Sequence, residues 1–267
     1  MKLSAHIGFQ FTEAPFLERF ALAARAGYRA VEFPVPYTYE IEVLKAKLQE
    51  HQLELVQIGA PAGLPEKGEK GLAALSGRAL EFRQSLEAAV EYAVALRCPR
   101  VHIMAGTAGG TLAADWRTYV DNMRLAVQVF SNEGIATLAE IMSPGEVPGY
   151  YLSSFELAEA LFDVIPDANL QCLFDTYHAA ALTNDVPGLL RRWLPRTGHI
   201  QISDFPGRHE PGTGDLPFDQ LYEEIDAAGY DGWVGCEYRP ATTTAEGLVY
   251  LQRYLHPEPH PSASGSR

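Results

Sequence analysis

Eight short apolar runs alternate with longer amphipathic ones along the chain, and no other feature narrows the fold as far. The short runs are KLSAHI, RAVEFP, LELVQIG, RVHIMAG, IATLAEI, NLQCLFD, HIQISD and GWVGCEY. The longer ones are TEAPFLERFALAARAG, EIEVLKAKLQEHQ, GRALEFRQSLEAAVEYAVALR, DWRTYVDNMRLAVQVFSNEG, SSFELAEALFDVI, VPGLLRRWLP, PFDQLYEEIDAAG and TTAEGLVYLQRYL. Brief apolar runs predict buried strands, and apolar residues recurring at helical spacing predict amphipathic helices. Thr12 is expected to cap the first helix and Gly27 to stop it. Strands that alternate with helices must lie parallel, because each crossover returns the chain to start the next strand in the same direction. Eight such pairs in 267 residues predict a closed (βα)8 TIM barrel. An open doubly wound sheet is the alternative, but no GxGxxG follows the first strand.

No linker divides the chain, so residues 1–255 are expected to form one barrel. Residues 256–267, HPEPHPSASGSR, are rich in Pro and Ser and are expected to be a disordered tail. Two long excursions, GAPAGLPEKGEKGLAALSGR after the third strand and MSPGEVPGYYLSS after the fifth, fall on the barrel face where strands end. A formal charge of -13 with interleaved acids and bases argues against a nucleic-acid groove, which needs a basic stripe. The start, MKLSAHIGF, lacks the apolar core of a signal peptide, and no apolar stretch approaches the ~20 residues of a membrane span. Cys98, Cys172 and Cys236 are odd in number, widely spaced and without a CxxC, which suggests neither disulfides nor a zinc knuckle. A cytoplasmic protein without membrane contact is expected; homo-oligomerisation is left open.

Polar residues interrupt the last four strands. Glu140 ends TLAEI, Asp175 ends QCLFD, Gln201 lies in HIQIS and Glu237 ends VGCEY. Strand side chains alternate between faces, so each group points either at the helix layer or into the barrel. An unpaired charge against the helix layer is costly, and the barrel mouth is the cheaper destination. Three carboxylates converging there repel unless a cation offsets them. With the Gln201 amide oxygen the set is all oxygen, which suits a hard divalent cation such as Mg²⁺ or Mn²⁺ better than zinc.

These residues carry a resemblance. From about Leu3 to Tyr254 the chain resembles the hydroxypyruvate isomerase family of the xylose-isomerase-like TIM barrels, which includes 2-oxo-tetronate isomerases. Its carriers are FTEAPFLERFALAARAGYRAVEFPVPY, GLAALSGRALEFRQSLEAAVEYA, PGYYLSS, FDTYH, HIQISDFPGRHEPGTG and WVGCEY. The resemblance implies that Glu140, Asp175, Gln201 and Glu237 bind the divalent metal and that Glu140 and Glu237 are the catalytic acid/base pair. It implies isomerisation of a small hydroxy-oxo acid in carbohydrate metabolism, hydroxypyruvate to tartronate semialdehyde, through a cis-enediolate. His6, Ala180 and Asp215 depart from the usual family residues, and all could line the substrate side.

His178, three residues after Asp175, and Arg208 and His209, after the seventh strand, are expected to contact substrate. An Arg there suits the carboxylate of a keto acid. Gly212 and Gly214 could present backbone N–H groups to an oxyanion, and AGTAGG after the fourth strand loosely resembles a phosphate cradle. Tyr37, Tyr150 and Tyr151 could cover the mouth, although loop packing is the plainer reading; Lys67 and Lys70 read as solvated charges and Glu32 as a helix cap or a support to the site. A 2-oxo-tetronate isomerase or a ketose 3-epimerase is the near alternative. A non-catalytic sugar-acid binding module is the alternative from another class, and an endonuclease is disfavoured by the charge and by a missing His cluster.

Overall fold

The computed structural model describes residues 1–108 and 114–255. Nine parallel strands form a single sheet: β1 (Lys2–His6), β2 (Ala30–Glu32), β3 (Glu54–Leu55), β4 (Ile58–Gly59), β5 (Arg100–His102), β6 (Ala136–Glu140), β7 (Leu170–Asp175), β8 (Thr197–Ile202) and β9 (Trp233–Cys236). Their order is β3-β2-β1-β9-β8-β7-β6-β5-β4. The two ends of that order, β3 and β4, are halves of the third predicted run, so the ring closes through residues 56–57. Leu55 aligns with Val31 on one neighbour and Ile58 with Val101 on the other. The stagger of a closed barrel divides this strand between its two partners. The fold is the expected TIM barrel.

Helices α1 (Phe16–Arg25), α2 (Ile41–Glu50), α3 (Ala79–Leu96), α4 (Trp116–Ser131), α5 (Phe155–Val164), α7 (Val186–Trp193) and α8 (Phe218–Ala227) fall inside the predicted segments. Gly27, at φ +100°, stops α1 as expected. Thr12 does not cap it; the helix begins after Pro15, whose fixed φ sets its entry. The eighth segment is not one helix but α9 (Thr244–Gly247), a 3-10 turn (Leu248–Tyr250) and α10 (Gln252–Leu255). Gly247 lies against the Glu210 carboxylate there. Two elements were not predicted: a 3-10 turn (Pro65–Lys67) in the excursion after the third predicted run, and α6 (Thr176–Ala180), which starts directly at the end of β7.

The apolar core lies between sheet and helices. On β7, Cys172 and Phe174 belong to it, with the Phe155 ring tilted 5.9 Å from Phe174 and edge-on 5.3 Å from Trp193. Asp175, on the opposite face of the strand, points into the lumen. The same alternation puts Ile200 and Ile202 outside and His199 and Gln201 inside. All three cysteines are buried thiols. Among the described residues no helix is long and apolar enough to cross a membrane. The tail 256–267 and Gly109 and Gly110 of the AGTAGG loop lie outside the described residues.

Candidate active site

The site has two storeys inside the lumen, a rim at the strand ends and a floor one turn of the side-chain alternation below. At the rim, Glu140 and Asp175 end β6 and β7, Gln201 is in register with Asp175, and Glu237 follows β9. All four are buried. One oxygen from each of Glu140 and Asp175 and a ring nitrogen of His178 lie within 4.8 Å of one another. Arg208 reaches in from the loop after β8, its Nη2 donating to Asp175 Oδ2 (2.9 Å) and Glu237 Oε2 (2.6 Å). The guanidinium lies 5.1 Å from the Phe9 ring and 5.2 Å from Tyr177. Glu210, two residues further along the same loop, accepts from the Ala241 backbone N–H instead of pairing with Arg208.

The sequence singled out no histidine cluster, yet four buried histidines line this lumen: His6, His102, His178 and His199. His6 Nε2 is 3.3 Å from Glu237 Oε1. His102 and His178 place Nε2 at 3.6 and 3.7 Å from the two oxygens of Glu140. Burial holds His6 down to about 4 and His102 to about 3, and lowers His178, so these rings are neutral near pH 7. The Ser143 backbone N–H donates to His178 Nδ1 (3.1 Å). In a neutral ring that leaves the proton on Nε2, which therefore faces Glu140 and Asp175 as a donor. His102 was missed, although the strand-end alternation that exposed Glu140 applies equally to RVHIM.

The carboxyls respond to this crowding. Burial, then Glu237 and Asp175, raise Glu140 well above the usual carboxylate range. Burial pushes Glu237 up to about 8 against the opposing charge of Arg208.

On the floor, Glu32 crosses the lumen from β2. It accepts from Ser4 Oγ (2.7 Å), His199 Nε2 (2.8 Å) and Gln201 Nε2 (2.7 Å). Burial alone would raise it, but the charge and hydrogen bond of His199, with His6 and Gln201, hold it at about 2. Glu32 is thus no helix cap.

Asp204 organises the loop that delivers Arg208. It accepts from the backbone N–H groups of Phe205, Gly212, Gly214 and Leu216, at 2.7 to 3.1 Å. Gly212 and Gly214 therefore spend their N–H groups on Asp204 rather than offering them to an oxyanion. Arg208 itself sits at φ +58°, with its N–H on Asp204 O and its carbonyl on Arg239 N. His209 is not brought into the carboxylate cluster; its Nδ1 meets the Arg239 carbonyl at 2.8 Å. Glu146, from the excursion after β6, spans Arg208 (3.4 Å) and Arg239 (3.2 Å). Tyr37 and Tyr150 hold loops, through Gly59 O and Ala105 N. Lys67 and Lys70 are exposed.

A parallel barrel with acids converging at the carboxyl ends of its strands defines a TIM-barrel enzyme. The chain belongs to the xylose isomerase-like TIM barrel family, which matches residues 20–254. It is 39% identical to a 2-oxo-tetronate isomerase of Cupriavidus necator, over 95% of this chain and 98% of the relative. It is 38% identical to a hydroxypyruvate isomerase of Escherichia coli K12, over 95% of this chain and 99% of the relative. A crystal structure of a Brucella melitensis protein described as an AP endonuclease, family 2, superposes with a TM-score of 0.91 at 36% identity, over 95% of this chain and 98% of that one. The chain is an isomerase of the hydroxypyruvate isomerase type.

Proposed function

We propose that this enzyme is a metal-dependent aldose–ketose isomerase of a small hydroxy-oxo acid, converting hydroxypyruvate to tartronate semialdehyde in the cytoplasm. The observation that carries this is the rim: three buried carboxylates converge there from the ends of β6, β7 and β9, Arg208 pairs with only two of them, Asp175 and Glu237, and burial raises Glu140 and Glu237 far above the usual range. Such a set accommodates a cation. The donors fit a hard divalent ion: His178 presents an N–H, and Gln201 turns its nitrogen to Glu32, leaving oxygens of Glu140, Asp175, Gln201 and Glu237 as ligands. A bound Mg²⁺ or Mn²⁺ supplies Lewis-acid polarisation of the substrate carbonyl and charge that offsets an enediolate.

The chain's own residues do the rest. One of Glu140 and Glu237 takes a proton from the carbon bearing the hydroxyl, giving the cis-enediolate. Return of a proton to the neighbouring carbon, with the hydroxyl proton passing to the former carbonyl oxygen, gives the aldehyde. Burial at the rim excludes the water that would compete for those protons. Arg208, a permanent cation beside the acids, is the group for the substrate carboxylate, and the His178 N–H is a donor for a substrate oxygen. His209, set on the Arg239 carbonyl, supports the loop at the edge of that subsite.

The 2-oxo-tetronate reading differs only by one carbon, and relatives of both names match this chain equally well. A phosphodiester substrate is disfavoured by the net charge of -13. The test is metal-depleted protein offered hydroxypyruvate, 2-oxo-tetronate and tagatose, with and without added Mg²⁺ or Mn²⁺. Turnover of the acids only with metal is expected. Full turnover in verified metal-free protein, or a clear preference for the neutral ketose, would overturn the reading.

A further inference from the structure

We propose that Glu32 is a positioning residue: it fixes the side-chain amide of Gln201 so that its carbonyl oxygen faces the carboxylate rim. This rests on the metal reading above and assigns a task to a residue that reading leaves unused.

An amide has two faces of nearly equal size, and a neighbour decides which way it turns. Here the neighbour is a carboxylate, whose oxygens accept. Gln201 Nε2 lies 2.7 Å from Glu32 Oε1. Glu32 Oε2 is already held by Ser4 Oγ at 2.7 Å and His199 Nε2 at 2.8 Å. Turning the amide over would press its oxygen against Glu32 Oε1 and strand the nitrogen. It would also aim two N–H donors at the rim, where a cation needs an oxygen.

The sheet register builds the site for this contact. Ser4, Gly235 and Gln201 stand in one row across β1, β9 and β8. The Glu32 carboxylate lies over the glycine, where a Cβ would run into both of its oxygens. Ser4 donates from one side of that gap and Gln201 from the other. Gly235 thus clears a path from β2 to β8, a contact between residues 169 apart in sequence. Glu32 itself is fully buried below the rim, and the hydrogen-bond partners of its carboxylate are Ser4, His199 and Gln201, none of them a residue expected to contact substrate.

The experiment is calorimetric titration of the full-length, metal-depleted protein with Mn²⁺, on four forms: wild type, Glu32→Gln, Gln201→Ala and the double variant. Removing a group that orients a metal ligand typically weakens affinity by about 10- to 100-fold. Glu32→Gln keeps the shape but no longer dictates the amide, so a loss of about tenfold is expected. In the Gln201→Ala background the same change should cost less than about twofold, because the amide it orients is gone. An equal loss in both backgrounds would mean a general structural role and would overturn the proposal, as would unchanged affinity in Glu32→Gln. Should Glu32→Gln fail to fold, Gly235→Ala, which pushes the carboxylate off Gln201, is read by the same cycle with the same two outcomes. Failure of the wild type to bind Mn²⁺ would instead sink the metal reading, and this proposal with it.

Discussion

Two glutamates buried in the same lumen have opposite fates. Glu32, on the floor, is held at about 2, whereas Glu237, at the rim, is pushed up to about 8. Both are desolvated, so burial cannot account for the difference. The donors do. Three hydrogen bonds converge on Glu32 from Ser4, His199 and Gln201, with no second carboxylate among its hydrogen-bond partners. Glu237 shares Arg208 with Asp175. Burial sets the cost of a charge and the partners set which form survives it. The hydrogen bonds on the floor offset the Glu32 charge; the rim is short of positive charge, which is what the proposed cation would supply.

The largest test removes the rim's proton chemistry. Glu140→Gln and Glu237→Gln should each cut turnover by about 10²–10⁴-fold, as loss of a general acid or base does. The double variant should be little worse than the poorer single one if both act in the proposed proton relay. Near-normal turnover in either would reduce that residue to a ligand.

Stability sharpens the contrast in the other direction. Glu32→Leu orphans three buried donors and should cost about 3 kcal/mol in urea unfolding, the scale of breaking a buried ionic contact. Glu237→Leu, in metal-free protein, should cost under about 1 kcal/mol, because the carboxyl it removes is poorly compensated and Arg208 keeps Asp175. Equal losses would erase the distinction between rim and floor. A control lies outside both. Ser154 caps α5 by accepting from Leu157 N–H, and Ser154→Ala should cost about 1 kcal/mol with Mn²⁺ affinity unchanged.

Much of the barrel was legible because its signals are local. Strand alternation and helical spacing repeat every few residues, and polar breaks at strand ends marked Glu140, Asp175, Gln201 and Glu237 directly. The departures have local causes that the pattern did not weigh: Pro15 displaced Thr12 as the start of α1, and Gly247 lies where the eighth helix breaks. Arg208 was legible as a cation close to the strand ends, but its partners Asp175 and Glu237 were not.

The sequence by itself determined which residues face the lumen, since a period of two leaves each strand position only one of two faces. Only the closed barrel decided which of those residues meet. Glu32 finds Gln201 across 169 residues, and Arg208 finds Glu237 and Asp175 across 29 and 33. Those pairings depend on the stagger with which the ring closes, a property of all the strands together and not of any one run.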